Sequence, residues 1–156
     1  MVGIMINFTR LKDIRLDYAI SQAKMAKILN VKRSTYSLWE IGINIIPLNS
    51  LCDYADYFNI SIDYVLELDN DRNSKNLKKG FDLKVLGNNL KEIRLKHGFT
   101  QENIAFILGV TQACIARYEK GDVCISISNL YTFAKYFNIS LSEICGKIEE
   151  DSLVLN

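Results

Sequence analysis

Four cysteines and a single histidine are the residues of this chain best suited to metal or redox chemistry. Cys52, Cys114, Cys124 and Cys145 show no C-x-x-C spacing, and His97 lies far from all of them in sequence. A zinc site needs a tighter ligand cluster. No metal and no cofactor is therefore expected, and the thiols read as free cysteines in a reducing compartment. Two pairs of opposite charge recur at one spacing, Arg15 with Glu40 and Arg94 with Glu119. Neither has a nucleophile or base partner, so the expectation is a protein that is not an enzyme. Tyr18, Tyr36, Tyr54, Tyr57 and Phe58 offer rings on which single-stranded bases could stack. Most recur at helical core spacing, which favours packing.

The recurrence extends well beyond these pairs. An offset of 79 residues aligns Leu11–Val65 with Leu90–Ile144 without a gap, matching Gln22 to Gln101, Ala26 to Ala105 and Gly42 to Gly121. Tyr57-Phe58-Asn59-Ile60-Ser61 returns as Tyr136-Phe137-Asn138-Ile139-Ser140. The chain of 156 residues is thus two copies of one unit. Residues 1–70 carry 7 basic and 8 acidic side chains, residues 71–85 carry 5 and 2, and residues 86–156 carry 7 and 8. Two nearly neutral blocks flank a basic segment. Its polar composition predicts a flexible linker over 69–82, and its charge suits either a solvated run or a tether that tracks phosphates.

Each copy reads as five short helices. Leu11 and Ile14, with Leu90 and Ile93, place the first helices over Phe8–Tyr18 and Leu86–His97. Ser21 and Thr100 are N-caps of the second helices, which run to Leu29 and Leu108. Asn30 and Gly109 then suit a left-handed stop. The third helices begin at Lys32 and Thr111 and end near Glu40 and Glu119. The fourth follow Pro47 and Ser126, and the fifth are capped by Ser61 and Ser140. The brief alternation Val123–Ile127 is assigned to a loop. Two helices joined by a three- or four-residue bend make a helix-turn-helix. The expected fold is all-α, with domains over 7–68 and 83–146 and a tail over 147–156.

The longest uncharged run, Asn103–Ala116, falls short of the ~20 residues that cross a bilayer. The N-terminal MVGIMIN has no basic region of the kind that opens a secretory signal. A cytoplasmic protein with no membrane partner is expected.

The second copy, with Leu90-Lys91-Glu92-Ile93-Arg94, Phe99-Thr100-Gln101-Glu102-Asn103-Ile104-Ala105, Leu108-Gly109-Val110-Thr111-Gln112 and Tyr118-Glu119-Lys120-Gly121, resembles the Cro/cI-like (XRE) helix-turn-helix family. The first copy fits through Ser21-Gln22 and Trp39-Glu40-Ile41-Gly42, with Ala23-Lys24-Met25 departing from the commoner acidic-and-leucine version. The resemblance implies two lambda-repressor-like domains whose third helices enter the major groove of double-stranded operator DNA. It implies that Gln112, Ala113 and Arg117 face bases in the second copy, and Arg33, Ser34 and Leu38 in the first. Glutamine can pair with adenine, arginine with guanine, and alanine can meet a thymine methyl. Lys32, Thr35 and Thr111 fall at the same helix starts, where backbone contacts fix register. Gln22 and Gln101 open the second helices, whose free N–H groups favour a phosphate. The resemblance also implies that Arg15–Glu40 and Arg94–Glu119 are structural ion pairs. The function expected is transcriptional regulation, as a repressor. The alternative is that one copy, the first in particular, serves a homodimer or a protein partner, as Leu38 and the apolar run Ile41-Gly42-Ile43-Asn44-Ile45-Ile46 suggest.

Overall fold

Local capping chemistry explains where the helices start and stop. The computed structural model describes residues 9–72 and 77–149. The first copy forms α1 (Thr9–Asp17), α2 (Gln22–Ile28), α3 (Arg33–Glu40), α4 (Leu48–Phe58) and α5 (Ile62–Val65). The second forms α6 (Leu83–Lys96), α7 (Gln101–Leu108), α8 (Gln112–Lys120), α9 (Ile127–Phe137) and α10 (Leu141–Ile144). Among the described residues there is no strand beyond one isolated bridge. The Ser21 hydroxyl accepts from Lys24 N, and Thr100 accepts from Asn103 N while the Asn103 side chain accepts from Thr100 N at 2.8 Å. Two orphan donors of α7 are thereby satisfied reciprocally. Asn59 and Asn138 end α4 and α9 in the left-handed region, both at φ 55°.

The sequence places the sixth helix over Leu86–His97, but α6 begins at Leu83. The reason is local, because the Asp82 carboxylate accepts from Lys84 N and Val85 N and so caps the helix one turn earlier. In the first copy the expected start at Phe8 lies outside the described residues.

The apolar faces of these helices close over Leu11, Ile14, Met25, Trp39, Leu51 and Tyr54 in the first copy. Leu86, Leu90, Ile104, Ile115, Leu130 and Phe133 do the same in the second. Each fully buried large side chain contributes roughly 1.5–3 kcal/mol. Tyr54 is buried throughout because its hydroxyl has a partner, donating to Leu11 O at 2.6 Å.

The composition of 69–82 predicts a flexible linker, and several of its described residues contact the domains. Arg10 donates to Asp69 O at 2.7 Å and to Asn70 Oδ1 at 2.9 Å, and Arg72 lies 3.7 Å from Asp17. On the far side, Lys78 N donates to Lys147 O and Gly80 N donates to Asp56 Oδ2 at 2.8 Å. Lys147, assigned from sequence to a tail, is 3% exposed. Its ammonium donates to Asp56 Oδ1 at 2.7 Å and to Gly80 O at 2.9 Å. Ile148 pairs with Leu77 in the bridge. Residues 73–76 and 150–156 lie outside the described residues.

The copies also pack directly, α5 against α10. The buried Asp63 carboxylate of α5 accepts from Leu141 N at 2.8 Å, from Ser142 N at 3.0 Å and from the Ser142 hydroxyl. Ser142 is the counterpart of Asp63 under the 79-residue offset. A second meeting of equivalents is a cleft lined by Ile45–Asn49 of one copy and Cys124–Ser128 of the other. Equivalents face each other at both places, and the Asp56–Lys147 pair is answered by its counterparts Lys135 and Leu68 lining one cleft, the reciprocal pattern of a pseudo-two-fold axis as in an isologous dimer. One polypeptide thus holds the arrangement of a symmetric pair.

Candidate nucleic-acid interface

Each third helix is bound to its own domain from behind and open in front. In α3, Tyr36, Trp39 and Glu40 are buried, while Arg33 and Ser34 are exposed together with the N-cap Lys32. In α8, Ile115 and Tyr118 are buried, while Gln112, Ala113, Arg117 and the N-cap Thr111 are exposed. Thr35 and Leu38 of the first copy are half-buried. So is Cys114, which packs against the core beneath α8. The polar first turn of each third helix is therefore brought to the surface as one face, with Leu38 and Thr35 at its margin.

What fixes this face is a buried ion pair repeated in both copies. Arg15 Nε meets Glu40 Oε1 at 2.5 Å, and the guanidinium also donates to Glu40 Oε2 at 3.1 Å and to Ile20 O at 2.7 Å. Arg94 does the same with Glu119 at 2.5 and 3.0 Å and with Phe99 O at 2.9 Å. Each arginine thus ties the first helix to the end of the third and to the turn before the second. The planar fork suits this task, because it presents parallel donors to one carboxylate. Burial works to raise the Glu40 pKa, but hydrogen bonds from Arg15 and Gln22 outweigh it and hold the carboxyl below its ordinary value. The hydrogen bond to Glu40 raises the Arg15 pKa against the opposing effect of burial, and that to Glu119 does the same for Arg94.

Gln22 and Gln101, expected to offer amide donors to phosphate, are half-buried and each give one donor to a carboxylate. Gln22 Nε2 donates to Glu40 Oε2 at 2.8 Å and Gln101 Nε2 donates to Glu119 Oε2 at 2.9 Å. The remaining acceptor capacity of each glutamate draws the amide in, which sequence spacing cannot show. In the second copy the chain continues outward, since Gln112 Nε2 donates to Gln101 Oε1 at 2.6 Å. Gln112 is thereby held by a relay that begins at Arg94. Arg33 stands at this position in the first copy, and the relay there ends at Gln22.

Sequence reasoning misses Asp56, Asp63, Ser142 and Lys147, which join the copies. The recurrence itself held the one available signal, that Asp63 and Ser142 occupy the same place in the repeat.

The third helices enter the loops 41–47 and 121–126, and both loops run to the cleft on the pseudo-two-fold axis. A two-fold rotation preserves height along its axis, so α3 and α8 stand at the same level beside this cleft. A paired helix-turn-helix arrangement of this kind defines a DNA-binding protein of the helix-turn-helix class.

The comparisons agree with that class. Residues 11–65 and again 90–144 match the family described as Helix-turn-helix, and the chain belongs to this family in two tandem copies. It is 36% identical over 78 residues to an HTH-type transcriptional regulatory protein of Pyrococcus abyssi, covering 47% of this chain and 25% of that protein. It is 31% identical over 64 residues to the HTH-type transcriptional regulator YgzD of Bacillus subtilis, covering 41% of this chain and 97% of the relative. The antitoxin PezA of Streptococcus pneumoniae is 32% identical over 63 residues, 40% of each chain. Among solved structures, the restriction-modification controller protein C.AhdI of Aeromonas hydrophila is 30% identical, with a TM-score of 0.38 over 40% of this chain and 96% of that one. The matched segments span a quarter to two fifths of the first curated relatives. Among the described residues no helix is long and apolar enough to cross a membrane.

Proposed function

We propose that the chain is a sequence-specific, double-stranded DNA-binding transcriptional regulator, acting as a repressor in the cytoplasm, that reads two half-sites with one polypeptide. The observation that carries this reading is a pair of exposed, ion-pair-anchored third helices related by a pseudo-two-fold axis. Two helices so related match the symmetry of two successive major-groove segments on one face of B-DNA. Base reading falls to Gln112, Ala113 and Arg117 of α8 and to Arg33 and Ser34 of α3, with Leu38 at the edge. Lys32 and Thr111 face the phosphates, as do the backbone N–H groups that open α2 and α7 beside Gln22 and Gln101. The α5–α10 contact pairs the two domains within one chain.

Selection of bound sequences from random duplexes, with the intact chain and with Arg117→Ala, tests the proposal. Two adjacent conserved half-sites are expected, and Arg117→Ala should relax one position of one half-site at a cost of about 1–3 kcal/mol. Selection that enriches no sequence would overturn it. A second reading, in which the first copy serves a protein partner, draws on the exposed Ile41, Ile43 and Ile45 and predicts enrichment of a single half-site.

A further inference from the structure

The loop that follows α3 displays three aliphatic side chains to solvent, with Ile41 64%, Ile43 67% and Ile45 50% exposed. Their display is enforced rather than incidental. Ile43 N and Asn44 N both donate to Leu38 O, at 3.1 and 3.2 Å, and Gly42 supplies the left-handed turn at φ 75° that other residues adopt only with strain. The corresponding positions of the second copy are Lys120, Asp122 and Cys124, so the apolar display belongs to one copy alone.

Resting on the DNA-binding reading above, we propose that Ile43 and Ile45 form an apolar wedge against the minor groove at the centre of the operator. The loop runs to the cleft on the pseudo-two-fold axis, where Ile45, Ile46 and Pro47 line one wall and Cys124, Ile125 and Ser126 the other. On that axis it stands equally far from the two third helices. When two such helices occupy successive major grooves on one face of a duplex, the minor groove faces the protein between them. A duplex spanning both helices has to pass over this loop. Exposed Lys32 and Arg33 on the adjoining helix supply the positive charge that draws phosphates close. Branched side chains are stiff, and an aliphatic side chain pressed into a base step partly unstacks it and kinks the duplex toward the major groove by roughly 20–90°. Asp122 at the matching position of the second copy is repelled by phosphates. The kink is thus displaced toward the half-site read by the first copy, and flexible pyrimidine–purine steps are favoured there.

The test uses the full chain, the operator it selects, and the double variant Ile43→Ser/Ile45→Ser, with thermal melting to show that the exposed loop changes leave the fold intact. Bending is read by electrophoresis of circularly permuted fragments, and affinity by titration against operators with a central TA or GC step. The wild type should bend the operator and prefer the TA step. The double variant should lose the bend and the preference together with about tenfold in affinity, whereas Arg117→Ala should weaken binding and still bend. A wild type that binds without bending, or a double variant with unchanged bend and affinity, overturns the wedge and leaves the regulator reading standing. A wild type that binds no duplex overturns both.

Discussion

The Asp63 carboxylate caps α10 of the other copy and meets Ser142, the residue that stands in Asp63's own place in the repeat. Chemically unlike residues at equivalent positions turn a symmetric contact into a directional hydrogen bond. The short α10 has its first amides filled from both sides, by Asp63 at Leu141 and Ser142 and by Ser140 at Glu143. Two domains that would otherwise only touch are joined through buried polar atoms, a contact with high stakes because an unpaired group there is costly.

Removing that carboxylate should therefore loosen the pairing before it unfolds either copy. Asp63→Ala is expected to cost about 1–3 kcal/mol through the two orphaned amides and the stranded serine. Urea unfolding followed by Trp39 fluorescence, which reports on the first copy alone, should separate from the transition seen by far-UV circular dichroism. Coincident transitions would show that the contact does not couple the copies.

Stability should fall on the acid side for a specific reason. The Glu40 carboxyl titrates lower in the folded chain than in the unfolded one. Its contribution is complete above the unfolded value of about 4.3 and is lost as pH falls through the folded value. Melting temperature measured from pH ~7 down to ~3 should drop within this range. Glu40→Gln should be less stable at neutral pH yet show a shallower acid slope. Truncation to alanine, which strands Arg15, should cost about 3–5 kcal/mol.

Gly87 marks the closest approach of α6 to α8. A Cβ at this position would sit 2.4 Å from Tyr118 O and 2.7 Å from Glu119 O, both backbone atoms. Gly87→Ala should destabilise the second domain by about 1–3 kcal/mol or more, since overpacking moves backbone rather than a side chain. Because Glu119 belongs to the ion pair that anchors α8, DNA affinity should fall with it. A melting temperature equal to wild type would contradict the packing described.

The two reading faces differ, so the preferred operator should not be a palindrome. Gln112, Ala113 and Arg117 correspond to Arg33, Ser34 and Leu38. Grafting the first set onto the second, as Arg33→Gln/Ser34→Ala/Leu38→Arg, should convert the selected sequence toward an inverted repeat of the α8 half-site. Selection from random duplexes reads the outcome directly, and an unchanged sequence would remove α3 from base recognition.

Most of the helical architecture is legible in the sequence because its causes are local. Apolar spacing, Ser, Thr and Asn at helix ends, and the 79-residue recurrence act within a few residues or repeat outright. Apolar spacing places the start of α6 at Leu86, a turn late, because the Asp82 cap that opens the helix lies upstream of its apolar face. The hydrogen bonds of Gln22 and Gln101 to glutamate are hidden for a different reason. Spacing identifies the first residue of a helix but not which acceptor its side chain finds, and here the acceptor is a glutamate 18 residues away.

The sequence by itself determined two helix-turn-helix copies, their caps, and the residue types on each third helix, since periodicity and turn chemistry encode them. Tertiary structure alone decided how the copies face each other. That decision rests on Asp63 with Leu141 and Ser142 and on Asp56 with Lys147, partners 78 to 91 residues apart. No local pattern announces such pairs, because their free energy appears only once both domains are folded and their polar atoms have left water. The same packing brings both ends of a basic stretch with linker composition against the domains.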